Sequence, residues 1–155
     1  MTPSVPAETG QSAFAAIAEI VAMLEADPVT DWTKVDLSAL REHLVDMNAL
    51  TLESETEETS LDDGVAITVT GSDRVLGAIH RMVPAHAVEL DKMPIWSASS
   101  ETMPDGAKLI VTSPEPAIQA RIRALGFFGL MATGGHHQAH HLAIAKAVSV
   151  HQHAH

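Results

Sequence analysis

The chain of 155 residues contains no cysteine and no tyrosine, and aromatic side chains make up only 3 % of it. Without cysteine there can be no disulfide, no thiolate ligand, no cysteine nucleophile and no thioether-linked haem. With so few aromatics the core must be built from Ala, Leu, Ile, Val and seven methionines, within a hydrophobic fraction of 46 %. Basic residues are scarce too: nine Lys and Arg against 20 Asp and Glu give a formal charge of −11 at pH 7. That sign argues against nucleic acid, because phosphates are repelled and few counterions are released, and it favours cations. No stretch approaches the roughly 20 apolar residues of a membrane span. The first residues show neither a basic region nor an apolar block, so no signal peptide is expected. Absent thiols suit an oxidising compartment and the cytosol alike, and the periplasm is favoured only because Met and His without thiol suit copper where it meets oxygen. Also missing are a Gly-x-Ser-x-Gly elbow and a Gly-Lys-Ser phosphate loop.

What the chain has in excess is histidine: ten in all, four of them in His136-His137-Gln138-Ala139-His140-His141. Imidazole is the commonest protein ligand for zinc, copper and nickel, and it binds as the neutral base. On a helix, His136/His140 and His137/His141 are each one turn apart on one face. The zinc-protease helix uses the same spacing but adds a Glu, and here Gln138 and Ala139 occupy the gap. The pattern therefore favours metal binding over metal-dependent hydrolysis, and so argues against an enzyme. At about 100° per residue all four imidazoles share the face of Ile144 and Val148, where a merely solvated His-rich helix has no reason to put them. The plainer alternative is a helix start whose histidines stack and bond to nearby carbonyls.

Along the chain, residues 1–35 read as a leader and a helix near 12–26, stopped at Asp27-Pro28. Residues 36–148 read as an α+β core, and 149–155 as a tail carrying His151, His153 and His155. Asp36 is the expected N-cap of a helix over 36–49 with the stripe Leu40, Leu44 and Met47. Leu50 and Leu52, alternating with Thr51 and Glu53, predict a strand over 50–58. Turn signals at Asp62-Asp63-Gly64 and Pro104-Asp105-Gly106 introduce strands near 64–70 and 107–113, and Ile95-Trp96-Ser97-Ala98 predicts another near 94–101. Helices are expected near 72–90, 114–125 and 137–148, with Gly126 to Gly135 as a flexible connection. Asp63-Gly64 recurs as Asp105-Gly106, Val69-Thr70 as Val111-Thr112, and Ala78 and Arg81 as Ala120 and Arg123, all at a lag of 42 residues. The expected fold is thus a four-stranded antiparallel sheet from two ββα repeats, preceded by two helices and closed by a short His-rich helix.

Two further His–Met pairs stand at helical spacing. His43 and Met47 lie one turn apart on the helix after Asp36, and Met82 and His86 do so on the helix after Ser72, across Pro84. Each taken singly reads as a core histidine with a gap-filling Met. Their recurrence beside the His cluster suggests convergence. Imidazole with thioether is a soft-to-borderline set that suits copper, above all Cu(I), with zinc or nickel as alternatives. The candidate ligands are His136, His137, His140, His141, His43, His86, Met47 and Met82. They predict a small metal-binding protein acting in capture, delivery or sensing of a transition-metal ion. Competing readings are a metalloenzyme or redox protein, including one with haem between His and Met, and an interaction module switched by histidine protonation. Ten protonations would take the formal charge from −11 to −1, so self-association into a homo-oligomer should respond to pH near about 6.5.

Overall fold

Local signals in the sequence set where each element begins and ends. The computed structural model describes residues 9–134 and 137–147. Helix α1 spans Thr9–Ala26, and the Thr30 hydroxyl donates to the Leu24 carbonyl just beyond its last turn. A single 3-10 turn, Trp32–Lys34, is capped by the Asp31 carboxylate, which accepts from the Thr33 amide. Asp36 caps α2, Leu37–Glu53, by accepting the Ala39 amide at 3.0 Å, as its position in the sequence requires. The chain then forms β1 (Glu55–Leu61), β2 (Gly64–Thr70), α3 (Asp73–Asp91), β3 (Ser97–Met103), β4 (Gly106–Thr112), α4 (Pro116–Met131) and α5 (His137–Ala145).

Two compact units share these elements. One contains Met1–Asn48 with Gly135–His155, and the other is Ala49–Gly134.

The second unit is the predicted α+β sheet, antiparallel throughout, in the order β1-β2-β4-β3. The repeat explains that order. Residues 42 apart face each other at the centre of the sheet, where Ile67 pairs with Leu109. Gly64 sits opposite Thr112, and its repeat partner Gly106 sits opposite Thr70. A pseudo-twofold axis therefore runs between Ile67 and Leu109. The strand-end contacts obey it: Ser113 donates its amide to the Asp63 carbonyl, and Gly71 donates to the Asp105 carbonyl. So do the two glycines, since a Cβ on Gly64 would overlap the Val111 carbonyl and one on Gly106 the Val69 carbonyl.

Alternation places Val65, Ile67, Val69, Ala107, Leu109 and Val111 on one face, all buried. There they share one core with Ala78, Ile79, Val83 and Leu90 of α3 and with Ile122, Phe127 and Leu130 of α4. Trp96 closes this core, its indole N–H donating to the Leu90 carbonyl at 2.9 Å and the Arg121 guanidinium lying 5.6 Å from its ring centre.

Two expectations fail in instructive ways. Leu50 and Leu52 are helical, because α2 runs on to Glu53 and β1 starts only at Glu55. The stripe Leu40, Leu44, Met47 continues to the buried Leu50, so the short alternation was the tail of a longer helical period. The segment after Gly126 is likewise no loop. Gly126 takes φ 61° and kinks α4, but Phe127 and Leu130 beyond it bury an apolar face and carry the helix on to Met131. Gly126 stands one repeat after Pro84, the proline inside α3, so both helices carry a helix-disfavouring residue at the same place.

Candidate metal-binding cluster

The first unit is where histidines meet. Its apolar core is small: Ile20 and Leu24 of α1, Leu40 of α2 and Ala145 of α5 are buried, with Ile17, Leu44, Leu142 and Ile144 packed around them. The Asp36 amide donates to the Ala145 carbonyl at 2.7 Å, joining the start of α2 to the end of α5. With α5 resting also on α1, that join brings His140 and His141 beside His43 and Met47.

The His43 ring lies edge-to-face against two neighbours, 4.9 Å from the centre of the His140 ring and 5.4 Å from that of His141. His141 is 4 % exposed, and its Nε2 lies 3.4 Å from Met47 Sδ. An ion held tetrahedrally about 2.0–2.1 Å from nitrogen and about 2.3 Å from sulfur keeps those donors about 3.5 Å apart. Two imidazoles on such an ion have ring centres about 5.2 Å apart, and no more than about 6.4 Å even when opposite one another. The His43–His141 and His141–Met47 pairs each meet these limits in separation. The His140–His141 pair, at 6.5 Å, does not. Among the described residues no group of three or more His, Asp and Glu side chains is arranged to hold an ion. His140, which is half-buried, would join as a third imidazole after a change of rotamer.

The remaining expected ligands divide into two groups. His137 begins α5, one turn before His141, but its side chain lies outside the described residues, as do His136 and the closing histidines. Met82 and His86 belong to the second unit. The buried His86 donates from Nε2 to the Leu130 carbonyl at 2.8 Å; a carbonyl can only accept, so that nitrogen carries the proton. Met82 packs against the same core. His80 behaves similarly, its Nε2 donating to the Met103 carbonyl at 2.8 Å.

One residue near the cluster escaped the sequence reading. Asp46, adjacent to Met47 and three residues after His43, is 8 % exposed. A carboxylate seldom goes so deep unpaired, and acids at such positions commonly fix the tautomer and tilt of a ligand imidazole. The signal was faint, since at about 100° per residue Asp46 falls beside Leu50, outside the stripe of Leu40, Leu44 and Met47. No protein-family model, no curated protein and no solved structure matches this chain.

Proposed function

We propose that the first unit is a transition-metal site, copper preferred, and that the protein acts in metal capture, delivery or sensing. The ligands are His43 and Met47 from α2 and His141 from α5, with His140 or His137 completing the set. The observation that carries this reading is the approach of His141 Nε2 to Met47 Sδ, with the His43 ring edge-to-face against His141, soft-to-borderline donors drawn from two helices. Nothing about packing alone asks for that combination, because Leu or Val at these positions would fill the space without a polar atom. The net charge of −11 adds a field that draws cations.

Titration of the full chain with copper near pH 7.5, followed by calorimetry, tests the reading. One saturable site is expected. His43→Ala with His141→Ala should remove it, while His153→Ala with His155→Ala should leave it in place. Absence of saturable copper, zinc or nickel uptake would sink the proposal.

A second reading draws on the same stack. Protonating His43 together with His140 or His141 would set like charges about 5 Å apart, which makes the α2–α5 contact sensitive to acid without any metal. Unaltered partner binding and folding in the presence of a chelator would favour it.

A further inference from the structure

The proposed ligands lie on both sides of the joint between α2 and α5. Helix α5 has nine residues, too few to be stable by itself, since isolated helices shorter than about 12–15 residues are marginal in water. It is held by Leu142, Ile144 and Ala145 against the small core, by the Asp36–Ala145 backbone bond and by Lys146 Nζ at 3.8 Å from Asp27 Oδ2. Both side chains of that ion pair are 36 % exposed, so it contributes little. Short elements resting on a small core open locally without global unfolding. Beneath α5 lie Ile20, Leu24 and Leu40, each fully buried while it is docked.

We infer that metal occupancy gates α5: an ion bound across His43, Met47 and His141 latches the helix onto α2, and losing the ion frees the helix to open and expose Ile20, Leu24 and Leu40. The inference rests on the metal reading above and supplies the step a sensor or carrier needs, a change of surface coupled to the ion. The geometry requires the coupling, because the donors come from two helices and opening α5 separates them. An ion that binds only the docked form lowers the open population by the factor 1 + [L]/Kd. By linkage, a change that favours opening weakens the ion in proportion to the docked fraction it removes.

Amide hydrogen exchange on the full chain, with and without copper(I) under ascorbate, tests this. With free copper a hundredfold above Kd, the amides of His141 to Ala145 should exchange about 100-fold more slowly, while those of β2 and β4 stay unchanged. Leu142→Ala removes packing and no ligand. It should speed α5 exchange in the metal-free protein, and copper should restore slow exchange. His43→Ala should abolish the copper effect on α5. If calorimetry shows saturable copper uptake while α5 exchanges at the same rate with and without it, the gate is wrong and the site reading stands. If no copper is taken up, both fall.

Discussion

Met47→Leu isolates the thioether from everything else at the site. Leucine has similar volume and no sulfur, and such exchanges in cores generally cost less than about 1.5 kcal/mol. Met47 is half-buried, so the metal-free protein should lose less than that and melt within a few degrees of the parent. The copper-bound protein should behave differently. With free copper(I) a hundredfold above Kd, a ligand that binds only the native state adds about 2.7 kcal/mol. For a chain of this length that is worth about 5–11 °C in melting temperature. If the sulfur accounts for one tenfold step in affinity, the same copper concentration adds only about 1.4 kcal/mol to the variant, or about 3–6 °C. A hundredfold step leaves about 0.4 kcal/mol, about 1–2 °C. Zinc, which gains little from a thioether, should shift parent and variant equally. Thermal melts followed by far-ultraviolet circular dichroism, run side by side in copper(I), zinc and chelator, give all six numbers. An undiminished copper shift in Met47→Leu would show that the 3.4 Å approach of His141 to Met47 is packing and no part of a coordination sphere.

Other consequences can be checked independently. Copper affinity should fall as pH drops below about 6.5, because the imidazoles must lose their protons to bind; competition titrations between pH 5.5 and 7.5 should give a falling curve, and a flat one speaks against histidine ligands. Gly106→Ala should destabilise the sheet by about 1–3 kcal/mol, since its Cβ overlaps the Val69 carbonyl; urea denaturation measures this, and Gly64→Ala should cost a similar amount if the pseudo-twofold is sound. Leu109→Ala, at the axis, should cost about 2–5 kcal/mol in the same assay without affecting copper uptake by the other unit. The Asp31 carboxyl should titrate below the usual carboxylate range, because the Thr33 hydroxyl and amide both donate to it. Its stabilising contribution is therefore present above the ordinary carboxylate pKa and disappears as pH falls through the lowered one; Thr33→Val should move the midpoint upward in an NMR titration.

The sheet was legible because its signals are periodic and come twice. Asp63-Gly64 and Asp105-Gly106 mark equivalent turns, and the alternation of Val65, Ile67 and Val69 admits only a strand with one dry face. Leu50 and Leu52 misled because a two-residue period over four positions cannot be told from the end of a helical one. Gly126 misled for a different reason: glycine propensity is a weak prior, and burial of Phe127 and Leu130 overrides it. At the site, the spacing of His43 with Met47 placed both on one side of α2, but which other helix would meet them depends on how α5 turns back. That direction is set by contacts such as Asp36 with Ala145, over 100 residues apart in the chain, which no local pattern encodes. The same spacing in Met82 and His86 carried no more sequence information than His43 and Met47 did. Met82 packs against the core of the other unit, and His86 is buried in that unit.

The pairing of Ile67 with Leu109 has a meaning beyond this sheet. Two identical patches that meet across a dyad define an isologous homodimer, and β2 against β4 is such an interface drawn between two halves of one polypeptide. Tethering replaces subunit concentration with an effective local one, so the halves associate at any dilution. It also releases them from having to stay alike. The outer strands show the result: β1 carries Glu55, Glu57 and Glu58, whereas β3 has only Glu101 among its serines and threonine. Acidic side chains on an edge discourage pairing with a further strand, so one rim of the sheet is guarded by charge and the other by different means. On that second rim the Asp91 carboxylate takes the Ala98 amide at 2.9 Å, closing off a donor that a passing strand could otherwise use.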